Sequence, residues 1–148
     1  MKRMDWFRKG GPGVGVLLAS AGIWLLVQAI PAVAAEPAAE LKTAITHAGY
    51  SAKQEALPGA TTHLHHALNC LVGPQGKGFD AAPGNPCQGQ GNGYLPDLKA
   101  SKGETDQYYE ALWAARIAEQ GLASKNLAET KAASRAVIAV LENIAKAQ

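Results

Sequence analysis

The chain has 148 residues, a formal net charge of +2 at pH 7 and 18% charged residues. The excess positive charge lies in the first 35 residues, because those that follow carry ten Lys and Arg against eleven Asp and Glu, a formal net charge of −1. A near-neutral chain without a basic cluster lacks the electrostatic footprint of a nucleic-acid-binding protein, so that class is excluded.

Residues 1–35 have the composition of a secretory signal peptide. Four basic residues precede an apolar run over 14–30, and Pro31 is followed by Ala-Val-Ala-Ala at 32–35, which offers an Ala-x-Ala cleavage site. We therefore expect export, to the periplasm in a Gram-negative bacterium and otherwise to the medium, with membrane contact only before cleavage. The alternative is an uncleaved anchor, although a run of about 17 residues is at the short end of what spans a bilayer.

The segment 36–71 is expected to form a hairpin of two helices. Apolar residues recur at helical spacing from Glu36 to Ala56. Leu57-Pro58-Gly59 is expected to end this helix, because proline and glycine interrupt helices. Thr61 or Thr62 would then cap a second helix.

The segment 72–103 is expected to be a long loop, since it holds eight glycines and four prolines. Such a composition predicts neither helix nor strand. Cys87 can tether the loop to the preceding helix, and Phe79, Tyr94 and Leu95 could pin it further.

The segment 104–148 predicts a second hairpin, with helices over 104–120 and 125–147. Gly121 is expected to end the first of them, and a continuous helix through Gly121 is the alternative. About 113 residues suffice for one small domain. We therefore predict that residues 36–148 form a single all-α domain, an antiparallel four-helix bundle made of two hairpins joined by the long loop.

Cys70 and Cys87 are the only cysteines of the chain. In an exported protein two cysteines are expected to pair, and this disulfide would staple the loop to the end of the second helix. The alternative is that both thiolates bind a metal ion.

The four histidines, His47, His63, His65 and His66, fall within twenty residues. His63 and His66 are three apart, so one helix presents them as a neighbouring pair of ligands, whereas His65 points about 160° away from His63. His47 lies on the equivalent flank of the first helix and joins the pair for only one of the two hands of packing. The alternative is that these histidines are solvated surface residues.

The pattern Ile45-Thr46-His47-Ala48 followed by His63-Leu64-His65-His66-Ala67-Leu68 resembles the His-Ala and His-x-x-x-Ala-Leu rhythm of small periplasmic metal-binding proteins, which are short exported four-helix bundles. The resemblance covers the first hairpin only. It implies a bundle fold, an exported location and a low-capacity metal site at His47, His63 and His66.

We therefore expect a binding protein for a divalent transition metal, copper, nickel or zinc, since imidazole suits these ions. The chain has no Cys-x-x-Cys-His or His-Glu-x-x-His motif, so neither haem nor enzymatic activity is expected. The alternative function is a disulfide-stapled envelope protein that contacts a protein partner through Phe79, Tyr94 and Leu95 of the loop.

Overall fold

A computed structural model describes residues 35–148, so the predicted signal peptide lies outside the described residues. This part of the chain is all-α, as expected, with no strand. None of its helices is long and apolar enough to cross a lipid bilayer. The five helices are α1, Pro37–Lys53; α2, Leu57–Val72; α3, Tyr94–Lys102; α4, Asp106–Ala123; and α5, Leu127–Lys146.

The second helix begins earlier than the sequence predicted. Leu57-Pro58-Gly59 does not separate α1 from α2 but forms the first turn of α2. Proline is accommodated there because the first helical N–H groups have no intrahelical partner. Thr61 is therefore not a cap, and its hydroxyl donates back to the carbonyl oxygens of Leu57 and Pro58, each at 3.0 Å.

The prediction that 72–103 contains no helix was wrong, because α3 occupies Tyr94–Lys102. This helix buries Tyr94 and Leu98, which are 0% and 1% exposed. Glycines at positive φ flank it, Gly93 at 112° and Gly103 at 78°. Burial of one apolar face therefore outweighs the unfavourable composition of the surrounding segment.

Gly121 does not end a helix, and α4 continues through it to Ala123. A Cβ atom at Gly121 would lie 2.4 Å from the Cβ atom of Ala133 on α5. Glycine therefore serves close packing at this position. Residues 124–126 form the break, and the side chain of Asn126 caps α5 by accepting from the backbone N–H of Glu129 at 3.2 Å.

The helices surround a core rich in alanine and leucine. α1 packs against α2 and α5, α4 packs against α2 and α5, and α3 contacts α1, α2 and α4. Small side chains at the contacts allow the helix axes to approach closely. The buried alanines are Ala44, Ala48, Ala60, Ala67, Ala111, Ala114, Ala115 and Ala118.

Cys70 and Cys87 form a disulfide, as predicted, with their Cα atoms 5.3 Å apart. The disulfide fixes the segment between α2 and α3 against the end of α2. Asn69, fully buried, adds three hydrogen bonds to this segment: its amide donates to the carbonyl oxygens of Asp80 and Gly84, and its oxygen accepts from the backbone N–H of Asp80.

Candidate metal centre

His47 on α1 and His63 and His66 on α2 lie side by side at the contact between these two helices. Only residues 54–56 connect α1 to α2, so the helices are adjacent. On α1, Ala44 and Ala48 are fully buried beside His47, which leaves this side chain at the edge of the core. Of the two possible hands of packing, α1 and α2 adopt the one that brings the His47 side of α1 next to the side of α2 that carries His63 and His66.

His47 faces both other imidazoles through their Nδ1 atoms. The Nδ1 of His47 lies 3.4 Å from that of His63 and 3.2 Å from that of His66. Two nitrogens bound to one tetrahedral ion at about 2.0–2.1 Å are about 3.3–3.4 Å apart, whereas adjacent ligands of a square-planar ion would be about 2.8–3.0 Å apart. The observed distances are closer to the tetrahedral spacing.

The backbone determines which nitrogen of His66 is free to bind an ion. The Nε2 of His66 lies 2.6 Å from the carbonyl oxygen of Pro83, an acceptor, so Nε2 carries the proton and donates it. In a neutral ring the lone pair is then on Nδ1, which faces His47. Histidine ligands of metal ions are commonly oriented in this way by a carbonyl group on the other ring nitrogen.

When all three rings are neutral, the two approaches to the Nδ1 of His47 cannot both be ordinary two-centre hydrogen bonds. Its Nδ1 approaches the Nδ1 atoms of both His63 and His66, but a neutral imidazole has a single N–H to share. At least one approach therefore sets lone pair against lone pair or divides a single proton. A metal ion between the rings would convert both approaches into bonds.

The surroundings keep two of these rings neutral. Burial and, to a smaller extent, the neighbouring His66 and His63 together lower the pKa of His47 from 6.5 to about 4. Burial, followed by the proximity of His66, also lowers the pKa of His63. Neutral rings have the lone pair that metal binding requires, so protons compete weakly at these two ligands near neutral pH.

Tyr50 covers one side of the cluster. Its ring packs edge-on against His47 and His63, with centroids 5.6 and 5.4 Å away. Since Tyr50 is 48% exposed and the three histidines are half-buried, the cluster is open to solvent. An ion bound there could take a water molecule as a further ligand.

The remaining residues singled out from the sequence lie elsewhere. His65 is not part of the cluster, and its buried Nδ1 has no hydrogen-bond partner among the described residues. Cys70 is committed to its disulfide. Tyr94 and Leu95 are 0% and 6% exposed, and Phe79 packs half-buried against the core, so the side chains of Tyr94 and Leu95 expose little surface.

Sequence reasoning missed Pro83 and Tyr50. Tyr50 follows His47 by three residues, a spacing that places both on one side of a helix, so this neighbour could have been found. Nothing in the sequence marks Pro83 as the acceptor for His66, because the contact is made by a backbone carbonyl in an irregular segment.

No family model, curated protein or solved structure matches the chain. The resemblance of the first hairpin to periplasmic metal-binding proteins therefore stays a hypothesis.

Proposed function

We propose that this protein binds one divalent transition-metal ion through the Nδ1 atoms of His47, His63 and His66. The convergence of these three side chains is the observation that carries the proposal, because the two separations from the Nδ1 of His47, 3.4 and 3.2 Å, are close to the edge of a ligand tetrahedron. Tetrahedral spacing favours zinc among the three candidates. Copper is held more tightly at most nitrogen sites, but its preferred planar geometry would require the rings to move.

The proposed role is binding of the ion. Three ligands and a position open to solvent suit reversible capture of an ion. The resemblance noted above supports the same low-capacity role.

An exported location is part of the proposal. The disulfide supports it, because such bonds persist in oxidising compartments. We further propose that the scaffold is an antiparallel four-helix bundle of α1, α2, α4 and α5. Three-residue connections at 54–56 and 124–126 support this arrangement, since short connections join antiparallel neighbours.

Calorimetric titration of the tag-free protein with zinc tests the site. We expect uptake of about one ion per chain in the wild type and loss of uptake in His63→Ala/His66→Ala. His65→Ala is the matched control, because this histidine lies on the same helix and outside the cluster. Circular dichroism of each variant checks that the fold is kept. Equal uptake by the wild type and the double variant, or none by either, would refute the proposal.

A further inference from the structure

A cavity that contains none of the clustered histidines lies between α3, α4 and the segment that follows α2. Its volume is about 770 Å³, within the range of about 300–1,000 Å³ that is usual for small-molecule sites. The turn at 74–77 forms one wall. Gly76 in this turn packs so closely on the end of α2 that a Cβ atom would lie 2.2 Å from the carbonyl oxygen of Val72, so this wall is held against the helix.

The floor of the cavity is apolar. Leu95 and Ala115 contribute buried surface, 6% and 3% exposed, and Val72 adds its side chain at the end of α2. Tyr108 and Leu112 are half-buried beside them and pack against the core. Binding of a hydrocarbon or aromatic group to an apolar surface of this kind is favourable, because it removes apolar surface from water.

The rim of the cavity carries more positive than negative charge. Lys77, Lys99 and Arg116 line it, against Glu119 as the single acid. Lys99 is engaged by Glu104, which lies outside the lining. Lys77 and Arg116 are exposed and form no ion pair in the part of the chain that the structure describes.

We propose that this cavity binds a small organic anion with an apolar body, such as a single-chain or aromatic carboxylate or sulfonate. The apolar body would lie on the floor at Leu112 and Leu95, and the anionic head would lie between Lys77 and Arg116. Arginine and lysine both provide hydrogen-bond donors for such a head group, and the guanidinium of arginine offers two parallel N–H donors in one plane. This inference does not depend on the metal site.

The probe is 8-anilinonaphthalene-1-sulfonate, which combines an aromatic body with a sulfonate and fluoresces when it leaves water. We expect saturable binding to the folded protein, with displacement by octanoate and octanesulfonate. Octyltrimethylammonium, with the same chain and the opposite charge, should displace the dye poorly. Displacement by the cation as effective as by octanoate would overturn the proposal, because the site would then select only for apolar character.

The head-group position is tested by Lys77→Gln/Arg116→Gln. Both side chains are exposed, so the variant is expected to fold. The variant loses the ion pairs that Lys77 and Arg116 would form with the sulfonate, so we expect about five-fold weaker dye binding. The matched control is Lys125→Gln/Arg135→Gln, which removes the same charge from two exposed positions outside the cavity. Equal weakening in both variants, or none in either, would overturn the assignment of the anion to this cavity.

Discussion

The Nε2 of His66 lies 2.6 Å from the carbonyl oxygen of Pro83, and this contact links the histidine cluster to the segment between α2 and α3. The segment is in turn held by Asn69 and by the disulfide between Cys70 and Cys87. Asn69 and Cys70 follow His66 by three and four residues, so all three lie on one side of α2. The orientation of a proposed ligand and the anchoring of this segment are therefore coupled.

The first prediction concerns this coupling. Asn69→Ala removes three hydrogen bonds to the segment and takes the partner from partly buried backbone groups of Asp80 and Gly84. We expect the free energy of unfolding to fall by on the order of 2 kcal/mol. Zinc affinity is expected to fall about ten-fold, as is usual when a group that orients a ligand is lost.

Chemical denaturation and zinc calorimetry measure these two effects. Asn143→Ala, at an exposed position of α5, is the control and should change neither quantity. If Asn69→Ala lowered the stability but left zinc affinity unchanged, the segment would contribute to the fold alone and not to the metal site.

The second prediction concerns protonation of His47. Because its pKa in the folded protein is lowered to about 4, the native state favours the neutral ring more than the unfolded chain does, where the pKa is 6.5. The contribution of the neutral His47 ring to the free energy of unfolding is fully present above pH 6.5 and is lost as the pH falls toward 4. We expect the ring resonances of His47 to titrate with a midpoint near pH 4 in an NMR experiment on the metal-free protein. A midpoint near 6.5 would show that the ring is not desolvated.

The third prediction concerns two buried carboxyl groups. Glu40 on α1 and Asp97 on α3 are 0% and 4% exposed. The pKa of Glu40 is raised from 4.5 to about 7, because burial and the neighbouring Asp97 raise it by more than the hydrogen bond from the backbone N–H of Gly93 lowers it. One Glu40 oxygen accepts from the backbone N–H of Gly93 at 2.7 Å. The other oxygen is buried and has no hydrogen-bond partner among the described residues.

Glu40→Gln should therefore stabilise the protein above pH 7. The folded-state pKa of Glu40 is above its unfolded value of 4.5, so its contribution to stability is lost as the pH rises from 4.5 to 7. A glutamine reproduces the protonated form and avoids this loss, which is up to on the order of 3 kcal/mol. Denaturation at pH 5 and pH 8 measures the effect.

Glu36→Gln is the control for Glu40→Gln, because Glu36 is an exposed glutamate at the start of the same helix. It should leave the pH dependence of stability unchanged. The trends of Glu40 and His47 oppose each other between pH 4.5 and 6.5, so each is measured as the difference between its own variant and the wild type. Destabilisation by Glu40→Gln at pH 8 would contradict the assignment.

The fourth prediction compares two glycines that lie within helices. At Gly121 an added Cβ atom would meet Ala133 at 2.4 Å and Leu64 at 3.1 Å, whereas at Gly49 nothing lies within 4 Å. We expect Gly121→Ala to destabilise by about 1–2 kcal/mol, because overpacking outweighs the gain in helix propensity. Gly49→Ala should stabilise by about 0.5–1 kcal/mol.

Thermal and chemical denaturation of the two alanine variants measure this difference. Both substitutions add the same methyl group to a helix, so the sign of the effect depends on packing alone. Stabilisation by Gly121→Ala would show that α4 and α5 can separate at this point without loss.

The sequence was informative where structure depends on neighbours along the chain. Helical spacing predicted the four long helices, the pairing of His63 with His66 and the divergence of His65, because the turn of a helix fixes the direction of each side chain. The disulfide could be predicted because Cys70 had a single possible partner in the chain.

The sequence predicted less where local preference and burial conflict. Glycine and proline in 72–103 indicated a loop, but Tyr94 and Leu98 gain enough from burial to form α3. Pro58 and Gly121 were interpreted as helix breaks, although a proline is compatible with a first turn and a glycine with a close helix contact. Residue type alone does not distinguish these roles.

Only the tertiary structure decided which distant groups meet. The hand of packing between α1 and α2 brings His47 to His63 and His66, and the path of the irregular segment brings Pro83 to His66. The same segment, together with α3 and α4, lines the cavity that contains Leu95 and Leu112. Such contacts join residues that are far apart in sequence, and their formation depends on the free energy of packing the whole core, which no local spacing encodes.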